Sequence, residues 1–580
     1  MPAQPARFRE PRRESSAEWP LSDNSRRFRR RASPALPGAF PLPISPPEAP
    51  IRPVASTAAW APLALPVFRM LWLVWMTANT TMWMNDVAAA WLMSTLTPSP
   101  VMVALVQTAS TLPVFLLGLG SGALADILDR RRFLVVTQFW VSGTATLLCL
   151  ATLSGVIDPV LLLVLVLLNG VGLAMRWPVY SAIVPNLVPR VQLPAALALN
   201  GVAMNASRII GPIVAGLLIS SAGTEYVFVL NAVLSLVAAL VILRWKTEKK
   251  TSALPGERFL GAIRVGVQYV RQSDRMRSVL LHVVIFFSQS TALIALLPLL
   301  ARRIDDGSAA TFTLLLAAMG VGAIASAFVL PKVRSTTTRD ELLRRGSHVQ
   351  AVTMAVVAFA PNLWVALPTM MLCGGAWLIA ANSLSVSAQL ALPDWVRARG
   401  MSIYQVALMG GAGVGAALWG QVAAWTDVRT SVAAAAATGA ALLWLTRHHA
   451  IHGGIEEDLT PQSWKAPVTR DPVSPAAGPV LTTIEYRVDA ARVDEFRSVM
   501  QETRRSRLRG GVLSWELFRD TIDPGRFIEY FIDETWVEHL RRFDRFTTSD
   551  IALRQRRLAL HVGDTPPVVT RCIAEPLDSD

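Results

Sequence analysis

Charge is what this chain has least of. Only 17% of its 580 residues are Asp, Glu, Lys or Arg, where a soluble protein carries roughly a quarter. Hydrophobic residues make up 52% and the mean hydropathy is +0.41. The deficit comes from long uncharged runs, which excludes a soluble enzyme as the whole molecule and indicates a polytopic membrane protein. Cysteine is nearly absent too. Cys149, Cys373 and Cys572 form no spaced cluster, and two of them fall inside apolar runs. Neither a disulfide framework nor a metal site is indicated, and no cofactor is expected. A nucleotide-binding loop of the glycine-lysine-serine type is also missing, which argues against ATP as a driving force. The net charge of +14 would ordinarily raise nucleic acid as a partner. Its arginines, however, lie in tails and in short connections between apolar runs, so topology explains them and no nucleic-acid partner is expected.

Residues 1–64 are rich in Pro, Arg and Ser without an apolar period and are expected to be a disordered cytoplasmic tail. No apolar core follows the early arginines until Phe68, so no signal peptide is expected. Twelve apolar segments come next: roughly 68–92, 101–124, 133–154, 159–184, 195–221, 226–244, 276–300, 310–331, 346–360, 363–391, 400–425 and 430–446. The ninth is short for a span, and its start is expected to reach back through Leu342 and Leu343. Alternate connections carry Arg130–Arg132, Arg190, the run from Arg244 to Arg277, Lys332 to Arg345, and Arg397 with Arg399. The opposite connections carry few cations, so both ends of the bundle are expected in the cytoplasm of a cell-membrane protein in contact with the lipid bilayer. A central loop, 246–275, divides an N-terminal six-helix half, 65–245, from a second half, 276–450. Its Phe259, Ile263, Val267 and Val270 keep helical spacing with Arg between them, which predicts a short helix lying on the inner membrane face.

An internal repeat supports this division. Pro189 and Pro393 stand 204 positions apart, as do Gly211 and Gly415, Gly216 and Gly420, Gly118 and Gly322, Gly170 and Gly374, and Arg130 and Arg334. Such spacing implies two halves related by a parallel repeat, with substrate handled between them near the midplane. Beyond a linker at 451–479 the pattern is that of a small soluble domain, 480–576. Val480–Val488 alternates like a strand, Ala491–Leu508 has helical spacing, and Asp523-Pro524-Gly525 reads as a hairpin turn. The order β-α-β-β-α-β is ferredoxin-like. The expected fold class is therefore an all-α bundle of twelve membrane helices plus a small α+β domain.

A charge inside a span is costly, which makes it a functional candidate. Asp86, Arg176 and Arg208 stand out, and their mates in the repeat, Ser290, Ala380 and Ala412, are neutral. A proton-responsive network around Asp86 is one reading. The plainer one places Asp86 near an interface and makes Arg208 a structural tie before Gly211-Pro212. The run Gly211-Pro212-x-x-x-Gly216 permits close helix approach and frees a backbone carbonyl. Polar and aromatic cavity candidates are Trp83, Asn85, Gln107, Asn169, Tyr180, Asn205, Gln289, Trp377, Asn382, Gln389, Tyr404 and Gln405. Most are expected to be ties between helices, with about a third facing substrate.

The stretch Gly122-Ala-Leu-Ala-Asp126 with Arg130, Arg131 and Arg132 resembles the loop signature of the major facilitator superfamily. It departs at Ile127, where Arg is common, and at Asp129, where Gly is common. Arg176-Trp177-Pro178, Leu193-Pro194-Ala195-Ala196 and Leu392-Pro393-Asp394-Trp395 resemble the transmembrane secretion effector family, which includes relatives of the enterobactin exporter. That resemblance implies proton-driven export of a small molecule, siderophore-like or drug-like, and no enzyme activity. The Gly211-Pro212 run is similar to the motif of drug-proton antiporters. The C-terminal domain resembles the dimeric α/β-barrels of the antibiotic-biosynthesis monooxygenases, which implies a homodimer through that domain. The same resemblance opens the rival reading of a membrane-anchored oxidoreductase, with Trp536 and His539 lining its pocket, although packing is the ordinary role of a lone His.

Overall fold

The structure is a computed structural model that describes residues 60–127, 129–245, 259–304, 308–451, 457–462, 467, 469–563 and 565–575. The tail expected over 1–64 lies almost wholly outside the described residues. The N-terminal half comprises α1 (Pro66–Leu96), α2 (Pro100–Ile127), α3 (Arg130–Leu153), α4 (Pro159–Leu187), α5 (Leu193–Ser221) and α6 (Thr224–Arg244). A short α7 (Phe259–Gln272) precedes α8 (Asp274–Ala301), α9 (Ala309–Arg334), α10 (Arg339–Ala358), α11 (Leu363–Leu390), α12 (Asp394–Trp425) and α13 (Val428–Leu445). The starts follow from local chemistry. Asp129, Asp158, Ser273, Ser308, Thr338, Asn362 and Asp427 each accept backbone N–H groups of the helix they precede. Asp129, a departure from the loop signature, is thus the N-cap of α3.

Among the described residues ten helices are long and apolar enough to cross a membrane by length and composition. The other two of the twelve bundle helices are the polar ones. The α1 helix holds Arg69, Asn79, Asn85 and Asp86, and α10 opens with Arg339, Asp340 and Glu341. Starting at Arg339, α10 takes in Leu342 and Leu343, which are both buried.

Packing repeats as the sequence does. The pairs α1–α5, α2–α4 and α3–α6 recur as α8–α12, α9–α11 and α10–α13, and α2–α12 and α5–α9 join the halves. Glycines permit these approaches. A Cβ on Gly211 would lie 2.9 Å from the Thr80 carbonyl of α1, and one on Gly415 only 2.2 Å from the Ser288 carbonyl of α8. Gly216 faces Thr313 of α9, while its mate Gly420 faces Ala104 of α2. The offset fails at one place: Arg130 opens α3 whereas Arg334 closes α9.

The buried apolar side chains show how the halves meet. At the end of the bundle far from the start of α1, one core runs through both halves, from Met84, Trp91 and Val103 to Leu296, Phe312 and Trp419. At the end where α1 begins, here the basic end, the described residues form two separate cores. One holds Phe68, Phe133, Val184 and Ile242, and the other holds Met276, Phe286, Leu384 and Val396. Trp91 stacks on Phe312 at 5.5 Å and lies under Arg302 at 5.4 Å, and the Thr108 hydroxyl donates to the Gly413 carbonyl at 2.9 Å. Among the described residues the apolar packing is therefore continuous between the halves at the far end and divided at the basic end.

The C-terminal domain contains β1 (Val480–Arg487), α14 (Val493–Arg509), β2 (Ser514–Arg519), β3 (Arg526–Asp533), α15 (Trp536–Asp544), α16 (Thr548–Leu558) and β4 (Val568–Ile573). Its sheet order is β2-β3-β1-β4, antiparallel throughout. Asp520 and Asp523 accept the N–H groups of Ile522 and Gly525 and so shape the hairpin between β2 and β3. This domain changes the role of α7. Val265, Tyr269 and Val270 form the buried stripe, while Val267 is exposed. The difference from the expected surface helix has a direct cause, since α7 packs between α12 and α14.

Candidate functional site

The residue that joins the two halves in mid-bundle is Arg208. It stands on α5 one turn before Gly211, whose lack of a side chain brings the Trp83 Cβ to within 2.6 Å of the place a Cβ would occupy. The guanidinium then lies 5.3 Å from the Trp83 ring on α1 and 4.4 Å from the Trp377 ring on α11. The phenol of Tyr404 on α12 is within electrostatic reach. Two helices of each half therefore converge on one cation. Its Nε and the indole nitrogens of Trp83 and Trp377 are buried without a hydrogen-bond partner, so the cluster holds unused donors. Pro212, with no N–H, leaves the Arg208 carbonyl without its helical partner as well. Cation–π contacts of this kind contribute about 0.5–2 kcal/mol each. They hold the guanidinium in place while leaving its N–H groups for the oxygens of a ligand.

Other candidates are placed elsewhere. Arg176 lies 5.7 Å from the Trp75 ring, which stacks on Tyr180 at 4.1 Å; the Tyr180 hydroxyl donates to Asn200. Trp75 and Trp83 are eight residues apart on α1, roughly 12 Å along its axis, so this cluster belongs to the basic end. Asp86, one turn beyond Trp83, forms no ion pair or hydrogen bond among the described residues and is not joined to Arg208 or Arg176. Asn85 accepts a hydrogen bond from Asn231 of α6 at 3.3 Å, and Asn169 donates to Thr144 of α3 at 3.0 Å. Gln289, the repeat mate of Asn85, is packed against Gly439 of α13. Asn85 and Asn169 thus tie helices within the first half, while the amide of Gln289 packs at α13 of its own half without a hydrogen-bond partner. Asn382 accepts a hydrogen bond from Arg334. Gln107 and Gln389 reach Ser110 and Ser385 of their own helices. Gly122 and Asp126 fall in the last two turns of α2, but the surroundings of Gly122 and the side chains of Asp126 and Asn205 lie outside what is described. Arg131 donates to the carbonyls of Ile242 and Leu243 at the end of α6, where a cation is favoured.

In the C-terminal domain His539 is fully buried. Its Nδ1 donates to Asp533 at 2.6 Å, and its ring stacks on Trp536. The pair that the rival oxidoreductase reading would put in a pocket is therefore core, the ordinary role of a lone His. Sequence reasoning missed a different group, Glu529, which the strand alternation of β3 turns inward with Phe527 and Phe531. It accepts from Arg507 Nε at 2.9 Å, Trp515 Nε1 at 3.0 Å and the Tyr486 hydroxyl at 2.9 Å. Burial would raise the pKa of this carboxyl, but Arg507 and Arg557 outweigh it and hold the pKa at about 2.

The family model described as transmembrane secretion effector matches residues 57–578, taking in the C-terminal domain as well as the bundle. The chain is 24% identical over 254 residues to the staphyloferrin A transporter of Staphylococcus aureus, a match covering 43% of this chain and 63% of that one. It is 20% identical over 254 residues to macrolide efflux protein A of Enterococcus faecalis, covering 43% and 78%. The match therefore spans less than two thirds of the staphyloferrin transporter. Among solved structures, the fold resembles a bacterial homolog of the human lysosomal transporter Spinster, inward-facing and occupied. The TM-score is 0.54 at 15% identity, over 67% of this chain and 97% of that one. It also resembles the nucleoside transporter NupG, with a TM-score of 0.55 at 13% identity over 66% and 99%.

Proposed function

Because the chain belongs to the transmembrane secretion effector family, we propose that it exports a small molecule, siderophore-like or drug-like, in exchange for protons. The observation that carries this reading is the Arg208 cluster, a cation with unmade hydrogen bonds held by aromatic rings from both halves. A substrate with acceptor oxygens and a flat apolar portion suits it: the oxygens take the guanidinium and indole N–H groups, and the apolar part lies against Trp83, Trp377 and Tyr404. The charge of the connections supports a cytoplasmic basic end, so the described state is the one that loads substrate from inside. The repeat supports alternating access by rocking one half on the other, with α2–α12 and α5–α9 as the sliding pairs.

Asp86 is the proton carrier in this reading. Among the described residues it is the one acid more than two turns from either end of a bundle helix, and it has no fixed counter-charge to hold its proton off. Inward proton movement gains about 2.3 kcal/mol per charge per 100 mV of membrane potential. Gly122, Asp126, Arg130 and Arg131 form the inner gate by resemblance. The open face of the C-terminal sheet, with Leu481, Phe518, Ile528 and Tyr530, is the surface for pairing two copies.

The test is substrate retention in cells, with and without a protonophore, for the wild type and Asp86→Asn. Efflux that collapses with the protonophore, and fails in a folded and inserted Asp86→Asn variant, is expected. Efflux indifferent to both would refute proton coupling. Tags at residues 97 and 362 should label from outside and a tag at 460 should not. Labelling at 460 in intact cells would reverse the topology.

A further inference from the structure

The C-terminal domain has a partly open cavity of about 140 Å³ between its sheet and its helices, lined by Arg507, Arg542, Arg554, Arg557 and Arg571. A single water needs about 10–15 Å³ of such space, so the cavity has room for a small polyatomic ligand.

The acids near these arginines are already committed. Glu529 receives Arg507, Trp515 and Tyr486. Asp533 is held by His539 at 2.6 Å. Asp550 takes the Ser506 hydroxyl at 2.6 Å and the Thr547 backbone in the cap of α16. What remains is a surplus of cationic donors. Arg542 and Arg557 are 6% and 7% exposed. The Nε and Nη1 of Arg542 and the Nε of Arg557 are buried without any hydrogen-bond partner. Their closest carboxylate approaches, 3.6 Å to Asp533 and 3.8 Å to Glu529, are beyond hydrogen-bond length. The hydroxyl of Thr482 is buried and unpartnered too; it faces the cavity on β1, directly across the ladder from Arg571 on β4. The guanidinium carbons of Arg507 and Arg542 stand over the Phe531 ring, 4.6 and 4.0 Å from its centroid.

Buried polar atoms are rarely left unpaired without cause, and guanidinium groups in a fixed array match carboxylate and phosphate oxygens. We propose that this cavity binds a small anion carrying two or more carboxylate or phosphate groups. Ser506, Arg507, Arg542 and Asp550 also border the cleft in which the domain meets Tyr269 and Trp395. The ligand therefore sits directly behind the contact between the domain and the transport bundle. This inference does not rest on the export reading, since a binding site here stands or falls on the domain alone.

The experiment is calorimetric titration of the full-length purified protein with citrate and, separately, with pyrophosphate, each in chloride-matched buffer. Saturable one-to-one binding of at least one of them is expected. Whichever arm binds identifies the class as carboxylate or phosphate. Arg542→Gln and the exposed-rim variant Arg571→Ala should bind at least tenfold more weakly. If Arg542→Gln does not fold, Arg571→Ala decides alone. Absence of saturable binding by the wild type to both anions overturns the proposal, as does wild-type affinity in the folded variants.

Discussion

Replacing Glu529 by Gln keeps the shape of the side chain and removes its charge. In the wild type the folded domain holds this carboxyl at about 2 instead of an ordinary 4.5, because Arg507 and Arg557 outweigh the cost of burying it. At about 1.4 kcal/mol per unit, the ionised group favours the fold by about 3 kcal/mol. Because the folded value is the lower one, that contribution is complete above about pH 4.5 and fades as the pH falls from there towards 2. The Gln variant lacks it at every pH. The same loss leaves Arg507 and Arg557, both largely buried, without their counter-charge, and about 3 kcal/mol lies at the lower edge of the about 3–5 kcal/mol that breaking a buried pair costs. Hydrogen exchange of residues 480–575 in the full-length protein, followed from pH 7 to pH 3, reads this effect. The wild type should lose protection progressively below pH 4.5. The variant should be less protected at pH 7 and show a shallower acid response. Asp533, Glu538, Asp520 and Glu485 are also held below the ordinary carboxylate range, so the difference between the two proteins, not the slope of either, isolates Glu529. A variant as protected as the wild type at neutral pH would refute this account of the domain core.

Gly415→Ala should abolish transport, because its Cβ would lie 2.2 Å from the Ser288 carbonyl, whereas Gly143→Ala, with open space around it, should be silent in the same efflux assay. Arg208→Ala should reduce efflux at least tenfold with normal insertion, and Arg208→Lys should not restore it, since a compact ammonium lacks the planar fork that stacks on Trp83 and Trp377. Val265→Asp should release the C-terminal domain, seen as faster protease cleavage between bundle and domain, because Val265 is buried against Gly511. Arg264→Ala should barely change that cleavage: its pair with Glu534 is partly exposed, and such pairs contribute about 0–1 kcal/mol.

The helices were legible because charge is so scarce that clusters of it mark the ends of the apolar runs. The repeat was legible through glycines: a Cβ on Gly170 or Gly374, or on Gly211 or Gly415, would lie within 3 Å of a carbonyl oxygen of a neighbouring helix, so neither half tolerates a side chain there. The facing of polar side chains was not. Asn85, Asn169 and Gln289 have the composition of cavity residues, yet their partners are Asn231, Thr144 and the space at Gly439. A helix that is apolar on all sides gives no moment by which to orient its few polar positions. The stripe of α7 was misplaced for a related reason: the pattern fits a membrane face, but the surface that covers it comes from α14, more than two hundred residues on. Glu529 was missed because an isolated acid in a strand is intelligible only with Arg507 and Arg557, which come from two other helices.

The contacts that join the C-terminal domain to the rest bear on how the whole chain works. Arg264 pairs with Glu534 at 2.6 Å and Gln268 donates to the Val512 carbonyl at 2.8 Å, both from α7. Arg505 pairs with Asp274 at the start of α8, and Arg545 lies 5.0 Å from the ring of Trp395 at the start of α12. Tyr269 meets Trp395 edge-on and donates to the Ala391 carbonyl, which locks α7 to the same half. All of these elements belong to the second half. In the alternating-access cycle proposed above, the domain would be carried with the half it grips, since α12 begins inside the contact. A load on the domain, whether the proposed second copy on its open sheet face or the proposed anion in its arginine cavity, would then act on the start of α12 and bias the half that moves.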